Sequence, residues 1–143
     1  MKRPMQVQQD IHIKAYEIDS MGIVSNIVYI KWFEDLRHLW LEKYYPYKDM
    51  MAEKKSPMLM RTEVDYKKPL TILDFPVGKT WMEKLGRTKW EMGFEISIND
   101  IVYCAGKQIG CFFDIEKNSI TAFPDRMLEV YNNEKCDELG AGW

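Results

Sequence analysis

The chain has 143 residues, of which 46% are hydrophobic and 29% charged, as expected for one globular domain rather than a disordered segment. Its 20 Lys and Arg and 22 Asp and Glu give a net charge of −2. Without a basic excess we expect no nucleic-acid partner, because such binding depends on neutralising phosphates.

Membrane, metal and disulfide features are also not indicated by the sequence. No apolar run approaches the roughly 18 residues of a membrane helix, and the charged N-terminus lacks the apolar core of a signal peptide. The cysteines (Cys104, Cys111 and Cys136) are odd in number and lack C-x-x-C spacing, and the histidines (His12 and His38) stand apart. We expect a cytoplasmic protein with no membrane partner, no metal and no cofactor.

The chain begins with a predicted strand and a turn. Hydrophobic side chains occupy alternate positions from Met5 to Ala15, except at Gln9, which predicts a strand with one buried face. Ser20–Gly22 is typical of a turn. Ser25 or Asn26 can then cap a helix by accepting a hydrogen bond from its first free amides.

A long helix is predicted from Ile27 to about Tyr45, where apolar side chains recur at helical spacing and Pro46 ends the segment. Its apolar stripe is unusually aromatic, which indicates that something wide, such as a curved sheet, encloses the helix. The stripe consists of Tyr29, Trp32, Phe33, Leu36, Leu39 and Trp40. Residues 46–57 are expected to form a polar connection.

Four strands are predicted after this connection, because apolar side chains again recur at every second position. The second strand has alternating residues from Met58 to Tyr66, with Met58, Met60, Thr62, Val64 and Tyr66 on one face. The others are expected at Val77–Leu85, on the even positions of 90–98, and over Ile101–Ile115, with a hairpin signal at Asn99–Asp100.

This order of elements predicts an α+β fold, since short connections between consecutive strands force antiparallel pairing around the single long helix. We expect one domain over residues 1–131, closed by a segment at about 118–124. The polar residues 132–143 are expected to form a loose C-terminal tail.

The segment around Asp19 is the strongest candidate for a functional site. A carboxylate follows a strand, Gly22 makes a turn, and a capping residue opens the helix. This order delivers an acid beside free helix amides, which stabilise negative charge and suit acyl transfer. Asp and Gly are also common turn residues, so the same pattern often marks only a turn.

Four motifs occur in the order and spacing of a known family. The first is Asp19-x-x-Gly22-x-Val24-x-Asn26-x-x-Tyr29, followed by Lys31-Trp32-Phe33-Glu34 and Arg37. The others are Val64-Asp65-Tyr66-Lys67-Lys68-Pro69-Leu70 with Asp74, Leu85-Gly86-Arg87-Thr88, and Phe123-Pro124. Together they resemble the 4-hydroxybenzoyl-CoA thioesterase-like hotdog proteins over most of the chain. The resemblance implies a hotdog fold, in which a curved antiparallel sheet of five to six strands wraps a long central helix.

The resemblance also implies an activity, hydrolysis of an acyl-CoA or acyl-carrier-protein thioester, with coenzyme A as part of the substrate. Asp19 falls on the family's catalytic Asp, a nucleophile or general base, and the backbone N–H of Asn26 falls where the thioester carbonyl is polarised. Gly22 and Tyr29 are expected to help bind the substrate. Such proteins form homodimers or homotetramers with the site at a dimer interface. Ile23 stands where many relatives have His, which leaves the preferred acyl group open.

The substrate's phosphates are expected to meet Lys67, Arg87, Thr88 and Lys89, which lie in loops or at strand starts. Lysine and arginine bind phosphate through charge-assisted hydrogen bonds, although solvated surface charge explains the same residues. Among other activities, a hydroxyacyl dehydratase is disfavoured because neither His12 nor His38 is near the helix entry. The alternative from another class is a hotdog module that binds acyl-CoA without hydrolysing it.

Overall fold

The fold is that of a computed structural model, which describes residues 3–140, with side chains to residue 135. These residues form three α-helices, namely α1 (Asn26–Tyr44), α2 (Tyr47–Glu53) and α3 (Asp125–Gly140), and one 3-10 helix at Ala15–Glu17. The strands are β1 (Val7–Asp10), β2 (Lys55–Tyr66), β3 (Val77–Leu85), β4 (Lys89–Ile98), β5 (Ile101–Asp114) and β6 (Ser119–Ile120).

The strands form one curled antiparallel sheet in the order β1-β3-β4-β5-β2, with β6 paired to β5. The 19-residue helix α1 lies against it and contributes six of the buried side chains of the core. This is the hotdog arrangement of the α+β class, and it confirms the fold expected from the sequence.

Helix α1 presents the aromatic stripe to the sheet as predicted, although Leu39 is only partly buried and Leu41 is buried instead. Phe33 shows why the sheet can come so close. Its ring stacks on Phe94 with 4.7 Å between centroids, and its edge occupies the space that a side chain at position 106 would need. Gly106 therefore lets Phe33 of α1 pack directly against the backbone of β5.

Strand β1 is shorter than the sequence predicts, ending at Asp10 rather than near Ala15. Among residues 3–140 its only neighbour is β3, and this pairing ends where Asp10 meets Val77. Beyond this point Ile11 donates to the carbonyl of Pro76, and the chain then leaves the sheet. Ile11 is buried and Ile13 partly buried, as the alternation predicts, whereas Ala15 is exposed. A strand also requires a partner, which this segment lacks among residues 3–140.

Strand β2 departs from simple alternation because of a β-bulge between Leu59 and Arg61. The bulge reverses the faces, so Met58 and Met60 are 39% and 64% exposed while Thr62 and Val64 turn inward. The expectation that all these residues share one face is therefore wrong. One edge of β2 pairs with β5, and no strand among residues 3–140 pairs with its other edge.

Two segments expected to lack secondary structure are helical. The connection 46–57 contains α2, whose C-cap residue Lys54 has a left-handed conformation with φ of 54°. In the polar tail, α3 extends to Gly140, whereas residues 141–143 lie outside the described part. Its first turns bury Met127 and Tyr131, and the Tyr131 hydroxyl donates to the carbonyl of Glu83 at 3.1 Å. Contact with the sheet thus stabilises a helix that the polar sequence did not predict.

Candidate active site

A tight loop places Asp19 directly before α1. Ser25 donates its N–H to the carbonyl of Glu17 at 2.9 Å, and Asp19 donates to the carbonyl of Ile23 at 2.8 Å. At the tip, Gly22 has φ of 80°, a left-handed conformation that glycine adopts without the usual Cβ penalty. These contacts confirm the predicted turn and return the chain to the start of the helix.

The carboxylate of Asp19 is exposed and held by its own loop. Its Oδ1 accepts hydrogen bonds from the N–H groups of Met21 at 2.9 Å and Ile23 at 3.4 Å. Its Oδ2 accepts none within the described residues 3–140. One oxygen is therefore anchored, while the other is available to a ligand.

The N-terminus of α1 supplies the expected free amides. Ser25 takes the N-cap position, but its side chain makes no capping hydrogen bond, contrary to the predicted cap. The N–H of Asn26 also finds no acceptor in the part of the chain that the structure describes. A helix start with open N–H groups and its positive dipole end favours bound negative charge.

Tyr66 is a residue of this site that the sequence analysis did not single out. Its hydroxyl donates to the carbonyl of Asn26 at 2.8 Å, although the two residues are 40 positions apart. Its ring meets Tyr29 edge-on at 5.3 Å and remains 46% exposed. Tyr66 thus ties the end of β2 to the first turn of α1. Its place in one of the family-like motifs was the only sequence signal for it.

Tyr29, proposed from sequence as a substrate-binding residue, is 3% exposed and lies against Trp32 and Tyr66. Burial raises the pKa of Tyr29 to about 12, and the neighbouring Cys104 adds to the increase. Its hydroxyl therefore stays protonated at physiological pH, which argues against Tyr29 as a base.

Lys67 lies just beyond β2, where its N–H donates to the carbonyl of Tyr103 at 2.9 Å. No ion pair joins Lys67 to Asp19 among residues 3–140. Its charge acts instead on Glu95, whose pKa is lowered mainly by a hydrogen bond from Arg3, with Lys67 a smaller cause. Lys67 is thus not brought to Asp19 within the chain.

Three of the four residues expected to hold phosphate lie at the far end of the molecule from Asp19, namely Arg87, Thr88 and Lys89. Lys89 is in register with Cys111, and the N–H of Phe112 donates to the carbonyl of Thr88 at 2.8 Å. Phe112 in turn contacts Tyr45, which caps the C-terminus of α1. Asp19 precedes the N-terminus of this helix, which is roughly 28 Å long. One chain therefore does not bring Arg87, Thr88 and Lys89 to Asp19.

Arg87 and Lys89 are exposed and form no salt bridge with any residue of the described chain, so their charges are available to a ligand. Within residues 3–140 we find no group of three or more His, Cys, Asp or Glu placed to hold a metal, and no helix that could cross a membrane. Cys104 and Cys111 are buried free thiols, whereas the side chain of Cys136 lies outside the described residues.

Comparison with known proteins identifies the family. The family model described as "Thioesterase-like superfamily" matches residues 13–130, which contain the Asp19 loop, α1 and all of β2 to β6. The chain belongs to the thioesterase-like superfamily. This membership supports thioester hydrolysis as the general reaction.

Individual thioesterase-like proteins agree with this assignment. A protein of Aquifex aeolicus named "Putative esterase" is 28% identical over 119 residues, 82% of this chain and 91% of that protein. "Putative acyl-CoA thioesterase YneP" of Bacillus subtilis is 32% identical over 90 residues, 62% and 65% of the two chains. The crystal structure of a DHNA-CoA thioesterase from Staphylococcus aureus superposes with a TM-score of 0.82 at 21% identity, covering 94% of this chain and 95% of that one, which shows a shared fold.

Proposed function

We propose that the protein hydrolyses an acyl-CoA or acyl-carrier-protein thioester to a free acid and a thiol. The observation that carries this proposal is the position of the Asp19 carboxylate, with one oxygen free, directly before the open amides of α1. A thioester carbonyl bound there would accept a hydrogen bond from the N–H of Asn26. This bond would stabilise the oxyanion formed during attack. The name of the Bacillus subtilis relative is consistent with an acyl-CoA substrate.

Two routes use the same geometry. In the first, Asp19 Oδ2 attacks the carbonyl carbon, the C–S bond breaks, the thiolate leaves, and water hydrolyses the resulting anhydride. In the second, Asp19 takes a proton from water, which attacks the carbonyl and expels the thiolate. Since a thiol has a pKa of about 8.5, its thiolate leaves without a strong acid beside it.

A second copy of the chain would complete the site. If β2 paired antiparallel with the same strand of a second copy, the end of one β2 at Tyr66 would lie beside the start of the other. That start adjoins the turn carrying Arg87, since Met58 of β2 and Lys89 of β4 both face Cys111 of β5. Two-fold pairing thus brings the cations of one copy toward Asp19 of the other.

The open edge of β2 supports such a homodimer, which could associate further into a tetramer. Unpaired strand edges favour pairing with another chain unless they are covered, and Met60 beside this edge is 64% exposed. In the dimer, Arg87 and Lys89 would bind the phosphates of coenzyme A, and Thr88 would contribute a hydroxyl. Lys67 lies nearer the Asp19 end but its charge acts on Glu95, so its role in binding is the weakest of these assignments.

Thiol release from a panel of aliphatic and aromatic acyl-CoAs tests the proposal, with wild type compared to Asp19→Asn. We expect the variant to lose about 10²- to 10⁴-fold in kcat, as is typical when a positioned acid-base group is removed. Asp35→Asn is the matched control, because Asp35 is an exposed carboxylate on α1 that makes no salt bridge among the described residues. It should retain wild-type kcat.

The remaining outcomes separate the alternatives. If wild type binds acyl-CoA with micromolar affinity but releases no thiol from any substrate, the non-catalytic binding module replaces the thioesterase. If an acyl group is hydrolysed from a carrier protein but not from coenzyme A, the substrate is the acyl-carrier-protein thioester. Activity that survives in Asp19→Asn would keep the enzyme and reject Asp19 as its carboxylate.

A further inference from the structure

Glu17 is the most enclosed carboxylate near the candidate site. Its side chain is 2% exposed, although it lies only two residues before the exposed Asp19. Oε1 accepts a hydrogen bond from the N–H of Lys14 at 2.8 Å, which closes the 3-10 helix. Oε2 is buried and finds no hydrogen-bond partner among residues 3–140.

Such a carboxylate is costly to bury and calls for an explanation, because buried polar atoms are nearly always satisfied. The 3-10 helix alone does not require it, since one oxygen suffices for the Lys14 amide. The nearest cation to Oε2 is Lys31 of α1, whose Nζ lies 3.8 Å away. The Lys31 ammonium is also 5.8 Å from the ring centroid of Tyr16, within the range of a cation–π contact.

These contacts connect the Asp19 loop to helix α1. The Glu17 side chain reaches α1 through Lys31, while the Glu17 carbonyl accepts the N–H of Ser25 at the helix start. Asp19 lies two residues after Glu17, on the loop that the contact between Glu17 and Ser25 closes. A shift of Glu17 would therefore move the Asp19 carboxylate relative to the amide of Asn26.

The geometry points to Glu17 as a positioning residue, which holds the Asp19 loop against the first turns of α1 through Lys31. The inference rests on the proposed function, since it assigns Glu17 a part in the reaction of Asp19. Small displacements of reacting groups reduce catalysis strongly. Loss of the anchor should therefore reduce turnover more than substrate binding, which depends on other residues.

Glu17→Gln is the test variant, because glutamine has nearly the same shape and its carbonyl can still accept the Lys14 amide. We expect kcat for acyl-CoA hydrolysis to fall about tenfold with KM changed less than twofold. Lys31→Met should give a similar fall, and the double variant should be no slower than either single one, because both remove the same pair. The control is Glu42→Gln, which removes an exposed carboxylate of α1 paired with His38.

Hydrogen–deuterium exchange measured by mass spectrometry gives a readout that does not depend on activity. In Glu17→Gln, peptides covering residues 19–25 should exchange about tenfold faster, while β4 keeps its wild-type protection. Wild-type kcat and wild-type exchange in Glu17→Gln would overturn the inference, and so would a loss of protection spread evenly over the chain. If wild type hydrolyses no thioester, the proposed function fails, and unchanged loop exchange would still reject Glu17 as the anchor.

Discussion

At the scale of single residues, some glycines are required because an aromatic ring or a neighbouring backbone occupies the space of a side chain. Gly110 of β5 lies beneath the Trp90 ring and beside the carbonyl of Met58, and an added Cβ would overlap both. Gly86, in the turn before β4, has only the Lys89 carbonyl oxygen near, at 3.6 Å from such a Cβ. The two glycines thus serve different purposes, which the sequence alone does not distinguish.

Gly110→Ala should therefore destabilise the protein, because the backbone of β2 cannot yield as a flexible side chain would. We expect a loss of about 2–3 kcal/mol in the free energy of unfolding, measured by urea titration at a fixed protein concentration. Gly86→Ala is the matched control and should remain within about 1 kcal/mol of wild type. Equal stabilities of the two variants would contradict the packing described for β2 and β5.

At the scale of elements, an ion pair joins α2 to α3. Arg126 of α3 donates to Glu53 of α2 at 3.2 Å and 3.4 Å. The hydrogen bond from Arg126 is the largest cause that lowers the pKa of Glu53. A group whose pKa is lower in the folded state stabilises the fold above its unfolded pKa, and this stabilisation disappears as pH falls through the folded value.

Glu53→Gln should consequently be less stable than wild type at pH 7, with a difference that shrinks once the pH falls below the ordinary value of 4.5. The pair is partly exposed, so we expect less than about 1 kcal/mol at neutral pH. Urea unfolding at several pH values measures the difference. Glu129→Gln is the control, since Glu129 is exposed on α3 without a salt bridge in the described chain. A difference between wild type and Glu53→Gln that does not vary from pH 3 to 7 would reject the pairing.

The elements themselves differ in how well their sequences predict them. Helix α1 was predicted within one residue at each end, because its apolar period is long and Pro46 follows it. Helix α3 was missed, since beyond Tyr131 it has few apolar side chains and depends on contacts with distant strands. The bulge in β2 was missed for a related reason, because a bulge is defined by the partner strand and leaves little trace in alternation.

At the scale of the whole molecule, the proposed catalytic carboxylate and the proposed phosphate-binding residues lie near opposite ends of helix α1. Asp19 precedes α1, and the turn carrying Arg87 and Lys89 lies near its C-terminus. The proposed dimer would build each site from Asp19 of one copy and the cations of the other. Two defective chains can then complement each other, which a site within one chain does not allow.

We expect this complementation between Asp19→Asn and the double variant Arg87→Ser, Lys89→Ser. Each should be slow alone at low acyl-CoA concentration. After unfolding and refolding together, half of the dimers contain both chains, and each of these has one intact site, which restores about a quarter of wild-type activity. Size-exclusion chromatography with light scattering should show particles of at least twice the 17.0 kDa mass of one chain. Absence of recovery in a confirmed mixed dimer would reject the shared site.

The sequence by itself determined the class of fold and the place of the carboxylate, because both depend on local order. A long apolar period makes α1, and a 3-10 helix, a glycine turn and the start of α1 follow one another from Ala15 to Asn26. Tertiary structure alone decided the contact of Tyr66 with Asn26 and the pairing of Glu17 with Lys31. It also decided the separation of Asp19 from Arg87. These relations arise from the way the sheet closes around α1, and no local pattern encodes the distance between residues that folding brings together or holds apart.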